Sequence, residues 1–230
     1  MRLEDTNILI DPGPGSLVRC TKSRPKLDPM KLDAIILTHK HLDHSGDTNV
    51  MIEAMTWGGF KKRGVFFAPQ DALKGKNVVA FPYLQGFPEK IEELKEKANY
   101  KINDVFFNTP IKHQHGVETY GLNISFQDST ISLIADGRYF EGLEKYYPGK
   151  ILIINVVRFK PREGLEHLSL KDVEKIIASN KPELAILTHF GMTMLQAKPR
   201  EVAKNLQEKL GVKVIAASDG MEINLDEYRK

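Results

Sequence analysis

Short apolar runs bounded by turn residues recur along the chain: 7–11 (NILID), 34–37 (AIIL), 64–68 (GVFFA), 104–108 (DVFFN), 121–126 (GLNISF), 130–136 (TISLIAD), 151–157 (ILIINVV), 183–188 (ELAILT) and 212–217 (VKVIAA). Their shortness and their Val, Ile and Phe content predict β-strands. Between them, apolar residues fall at helical spacing. Residues 47–59 open on Asp47, an N-cap type, carry Val50, Met51, Met55 and Trp57, and stop at Gly58 and Gly59. Residues 87–98 (FPEKIEELKEKA) predict a charged helix with an Ile91, Leu94, Ala98 stripe. Residues 169–179 predict a helix capped by Ser169, with Asp172 in its first turn and Val173, Ile176 and Ile177 facing inward. Pro199 and Gly211 bracket a fourth helix over 199–211. Strands predominate early and alternate with helices late, a pattern of sheets covered by helices: an α/β fold.

No internal repeat, low-complexity tract or Gly/Ser-rich linker divides the 230 residues, so a single domain over 1–230 is expected. Hydrophobic content of 41% and charged content of 27% are those of a globular protein. The net charge of +3 is small and the basic residues are scattered, so composition predicts a solvated surface rather than a nucleic-acid footprint. The single cysteine, Cys20, forms no intrachain disulfide and asks for no oxidising compartment. The N-terminal MRLEDTN lacks an apolar signal core, and the longest apolar runs are too short to span a bilayer. A cytoplasmic protein without a membrane partner is therefore expected.

Residues 36–47, ILTHKHLDHSGD, place three of the seven histidines and an aspartate within six positions, directly after an apolar run. His189 likewise follows LAILT, Asp136 ends ISLIAD and Asp11 ends NILID, so four strands each deliver a metal-type ligand at one end. In an extended or turning segment His39 and His41 point the same way and can grip one ion, while Asp43 and His44, after the turn, can grip a second. Two ions consume about seven ligands. The sequence offers His39, His41, Asp43, His44, His113 or His115, Asp136 and His189.

THKHLDHSGD is an instance of the H-x-H-x-D-H signature and resembles the metallo-β-lactamase superfamily of metal-dependent hydrolases. The other motifs follow in order over nearly the whole chain. ILIDPG is similar to the first, with Asp11; LIADG to the fourth, with Asp136; LTHFG to the fifth, with His189. HGVETYGLNI is similar to the third-motif segment of the ribonuclease Z and cyclic phosphodiesterase branch, where a histidine precedes a glycine by six residues. That spacing selects His115, with Gly121, and leaves His113 a structural role. The resemblance implies a four-layer αββα sandwich. It implies one ion held by His39, His41 and His115, a second by Asp43, His44 and His189, and Asp136 bridging. Asp11 would orient a ligand histidine. His167, just before the predicted helix at 169, would assist the leaving group as an acid, and Asp43, against the nucleophile, would relay a proton as well as bind metal.

Two departures qualify the resemblance. The chain begins at what looks like the family's second strand, so the usual first strand is expected to be missing. His115 and Asp136 leave no room for the transfer-RNA arm of ribonuclease Z, which disfavours specialised tRNA processing. The expected activity is hydrolysis, with a phosphodiester favoured and a metal-bridging hydroxide as nucleophile; the substrate would be a small molecule or a nucleotide. Thioester or lactone hydrolysis is the alternative on the same fold. A non-haem iron redox enzyme is disfavoured because His41 stands where flavodiiron proteins use glutamate and there is no room for a flavin domain. A non-catalytic metal-binding member would lose ligands, and this set is complete. The cofactors would be two divalent ions, zinc before manganese or iron. A homodimer is compatible with all of this.

Overall fold

The structure is a computed structural model that describes residues 1–126 and 129–228. Its contacts separate into two compact units, Met1–Phe106 with Val117–Tyr120, and Phe107–Gly116 with the chain from Gly121 onward.

In the first unit β1 (Arg2–Leu3), β2 (Thr6–Ile10), β3 (Ala34–Ile36), β4 (Val65–Pro69) and β5 (Lys90–Leu94) form a five-stranded sheet in that order. The short β1, which sequence reading did not anticipate, pairs antiparallel with β2; the remaining neighbours are parallel. Parallel neighbours require crossovers. These are α1 (Ser16–Lys22), the short α2 (Leu42–Ser45) with α3 (Thr48–Thr56), and α4 (Gln70–Leu73). All three residues of β3 are buried, as a strand covered on both faces requires. Met51, Ile52 and Met55 of α3 pack on Ile35, Leu37 and Phe66. Val50 and Trp57, expected on that stripe, are exposed instead. Asp47 holds the N-cap position, but its carboxylate accepts from the Leu17 N–H of α1 at 3.0 Å. The helix ends where Trp57, Gly58 and Gly59 all take positive φ.

The helix expected over 87–98 does not form. That segment supplies β5 and the start of β6 (Ala98–Ile102). Five residues of parallel ladder with β4 outweigh the helix preference of Glu, Lys and Leu, which amounts to only tenths of a kcal/mol per residue (about 0.7 at most). Its charges suit an edge strand, where Lys90 pairs with Glu92 and Lys74 with Glu93.

The chain enters the second unit within β7 (Val105–Thr109). There β8 (Leu122–Phe126), β9 (Ser129–Ile134), β10 (Ile151–Asn155), β11 (Leu184–Thr188) and β12 (Lys213–Ala216) follow, in the spatial order β12-β11-β10-β9-β8-β7. β9 to β12 are parallel, and β8 runs antiparallel to β9. The helices are α5 (Leu170–Asn180), α6 (Met192–Gln196) and α7 (Pro199–Leu210). α5 starts on the expected capping box: the Ser169 hydroxyl and N–H both reach the Asp172 carboxylate, at 2.6 and 2.9 Å. Val173, Ile176 and Ile177 are buried with Leu152, Ile154 and Leu187 in this unit's core, as their spacing predicts. Gly211, at φ +67°, closes α7. Among the described residues no helix is long and apolar enough to cross a membrane.

Candidate metal centre

In the first unit the parallel pair β2–β3 brings Asp11 and the Thr38–His39 step to one edge of the sheet. The Asp11 carboxylate accepts three hydrogen bonds: from Thr38 N at 2.7 Å, from the Thr38 hydroxyl at 2.7 Å and from His44 Nδ1 at 2.8 Å. Because the Thr38 hydroxyl donates to Asp11, its oxygen accepts from His39 Nδ1 at 3.0 Å. Both imidazoles thus carry their proton on Nδ1, which leaves each Nε2 lone pair for a cation. Asp11, His39 and His44 bring ligand-type atoms within 4.8 Å of one another. With its oxygens engaged, Asp11 orients the histidines.

The local chain is shaped for this. His41 is the N-cap of α2, its carbonyl accepting from His44 N and Ser45 N at 3.0 Å. Its ring stands edge-on to that of His39, centroids 4.9 Å apart, while His44 lies 4.0 Å from His39. Asp43 Oδ2 is 3.6 Å from His44 Nε2 on the largely exposed side of α2. The turn after Asp11 packs directly on this helix: a β-carbon on Gly13 would land on the Asp43 carbonyl, which makes glycine obligatory there. Lys40, between the two histidines, pairs with Asp71 at 3.1 Å.

In the second unit β9 delivers Asp136 and β11 delivers His189, again from parallel strands. Asp136 is buried, and its Oδ1 accepts from Asn155 Nδ2 at 2.8 Å. Its two oxygens face His167 Nδ1 at 3.4 Å and His189 Nδ1 at 3.8 Å. His189 sits at φ +58°, a left-handed conformation unusual for a bulky residue and frequent where a side chain must be aimed. His115 Nδ1 donates to the Glu166 carbonyl at 3.0 Å, which again puts the lone pair on Nε2, and its ring lies 5.1 Å from that of His167. Burial lowers the His115 pKa, favouring the neutral form that a ligand requires. His115, Asp136 and His167 form a second cluster with ligand-type atoms within 4.8 Å.

His113 is placed differently. Its Nδ1 bonds to the Asp136 carbonyl at 3.0 Å and its Nε2 to the Tyr147 hydroxyl at 2.5 Å. Burial pushes its pKa down to about 4 and that of Tyr147 upward, so a neutral imidazole accepts from a protonated phenol. With both nitrogens engaged, His113 braces the backbone of Asp136. Gly121 is glycine because a β-carbon would strike the Tyr147 hydroxyl and the Leu133 carbonyl.

Residues 6–190 match the family described as the β-lactamase superfamily domain. The chain belongs to the β-lactamase superfamily. It is also 31% identical over 223 residues to an uncharacterised protein of Methanocaldococcus jannaschii, covering 94% of this chain and 82% of that one. Two solved structures are similar in fold. The metallo-β-lactamase fold protein YhfI from Bacillus subtilis has a TM-score of 0.77 and 19% identity, with 96% of this chain and 88% of that one covered. A diphosphatase of the PhnP family has a TM-score of 0.70 and 19% identity, covering 97% and 81%. The fold is thus the metallo-β-lactamase fold that the motifs imply.

Sequence reading missed Thr38, Asn155, Tyr147 and the Glu166 carbonyl, which hold the site residues in place. For Thr38 a signal existed: Ile-Leu-Thr-His occurs twice, at 36–39 and 186–189, each at a strand end. The others are single polar residues or backbone groups that acquire meaning only from the fold.

Proposed function

We propose that this superfamily member is a cytoplasmic phosphodiesterase that works with two divalent ions, and that residues 1–230 act as one hydrolase domain. His39, His41 and His115 would hold one ion, Asp43, His44 and His189 the other, with Asp136 between them. One observation supports the ligand assignment: His39, His44 and His115 each turn Nδ1 to an oxygen acceptor of the protein, the tautomer whose lone pair is on Nε2. Mixed imidazole and carboxylate donors suit zinc, manganese or iron, and zinc is the first expectation. When bound, two such ions supply a water that ionises near neutral pH and absorb the charge developing at phosphorus.

The remaining steps belong to side chains. Asp43, largely exposed on α2, takes the proton of the attacking water. Asn155 and His113 keep Asp136 in one rotamer and one backbone position, so ligand geometry survives the change in charge. His167, with Nδ1 3.4 Å from Asp136 Oδ2, is held by that carboxylate and gives its proton to the leaving oxygen. A phosphorus substrate is favoured by the third-motif resemblance, and a diphosphatase among the fold neighbours is in keeping with it.

A second reading of His167 has its own observation, since it clusters with His115 and Asp136 and would then be a ligand rather than an acid. The test is a hydrolysis panel on metal-reconstituted protein: bis-p-nitrophenyl phosphate, cyclic nucleotides, RNA, a thioester, a lactone and a β-lactam. Turnover confined to phosphodiesters supports the proposal; turnover confined to the thioester or lactone replaces it.

A further inference from the structure

The basic excess of the chain is less scattered than its composition implies. Residues 12–27 hold Arg19, Lys22, Arg24 and Lys26 and no acid, which leaves 29 basic against 30 acidic residues in the rest of the chain. Lys22, Arg24 and Lys26, together with Thr21, Ser23 and Pro25, line a cavity of about 820 Å³ at the C-terminal end of α1. Among the described residues no ion pair joins Lys22, Arg24 or Lys26. The nearest acid in sequence, Asp28, is turned to the Met30 N–H at 3.1 Å.

The loop is fastened at both ends. Ser23 N donates to the Arg19 carbonyl at 2.9 Å, and the Ser23 hydroxyl donates to the Cys20 carbonyl at 2.8 Å. Leu27 N donates to both the Ser23 oxygen, at 2.9 Å, and the Cys20 carbonyl, at 3.2 Å. Three cations on exposed side chains thus share one concavity whose backbone these bonds fasten. Like charges gathered at one concavity concentrate positive potential there and draw an anion. At its other end α1 is joined to the metal-ligand motif through Leu17–Asp47 and through the turn that packs on Asp43. Seven helical residues span about 10 Å.

We propose that the cavity at 21–26 is an anion subsite that binds a phosphate of the substrate other than the one cleaved. The substrates so defined carry at least two phosphates, either a short phosphodiester strand or a phosphodiester with a terminal phosphate. This rests on the phosphodiesterase reading.

Two thymidine dinucleotides, with and without a 5′-phosphate, separate the sources of the anion when kcat/KM is compared for wild type and the K22E/R24E/K26E variant. The expected result is a loss of roughly 10- to 100-fold on the phosphorylated dinucleotide, mostly in KM, with the unphosphorylated one changed by less than about threefold. If only a longer oligonucleotide shows the loss, a neighbouring backbone phosphate is the ligand. Equal losses on all substrates, or none on any, overturn the proposal. The K61E/K62E variant, which removes two exposed lysines elsewhere, should behave as wild type; an equal effect there would reduce the finding to net charge. Anisotropy of a labelled oligothymidine between 50 and 200 mM salt needs no turnover. Losing the neutralisation of one phosphate should flatten the logarithmic salt dependence by about 0.7. Absence of hydrolysis of any phosphodiester defeats the phosphodiesterase reading, whereas an unchanged salt dependence defeats the subsite.

Discussion

Asp11 shows how one residue organises several others. Its carboxylate anchors Thr38 twice and His44 once, and through Thr38 it fixes the tautomer of His39. Replacing Asp11 with Ala should therefore weaken metal binding about 10- to 100-fold without removing a ligand, as read by calorimetric titration. A variant that binds metal as tightly as wild type would show that the histidines orient themselves. His113→Ala should do the opposite. It leaves the Tyr147 hydroxyl buried without its acceptor and opens a void, costing about 2–4 kcal/mol in denaturant unfolding, while saturating metal content stays at two. Loss of an ion there would mean that His113, not His115, is the ligand. For His167→Ala, metal content should stay at two while the rate falls roughly 10²–10⁴-fold on an alkoxide-leaving diester and less on a p-nitrophenyl ester. A lost ion assigns His167 to the metal, and an equal small effect on both substrates returns it to structure.

The elements explain what was legible in the sequence. Nine of the twelve described strands were visible, and those buried on both faces, such as β3 and β10, are written as unbroken apolar runs. α5 was legible because its cap, acid and inward stripe agree, and Ser169→Ala should cost about 1 kcal/mol of stability in thermal or denaturant unfolding. A cost near zero would mean that Asp172 holds the Ser169 N–H unaided. β5 was not legible, because a half-buried edge strand rich in Glu and Lys has a helix's composition; only its ladder with β4 decides. The four strand-end site residues could be read because His39, His189, Asp136 and Asp11 each close an apolar run. Their supports could not. Asn155 and Tyr147 are spread along the chain, and the acceptor for His115 is a backbone carbonyl that no sequence pattern marks.

Across the whole molecule, each unit repeats one device: parallel strands end at a common edge and release a histidine or aspartate there. The family match from residue 6 to residue 190 spans both units, so neither is a free-standing relative. The proposal that two ions serve phosphodiester hydrolysis has a direct test. The direct measurement is the rate of bis-p-nitrophenyl phosphate hydrolysis as metal-free protein is titrated with zinc, with bound metal counted at every step. The rate should be absent without metal, rise mainly between one and two ions per chain, and level off at two. A rate that levels off at one ion, or no hydrolysis with two bound, would contradict it.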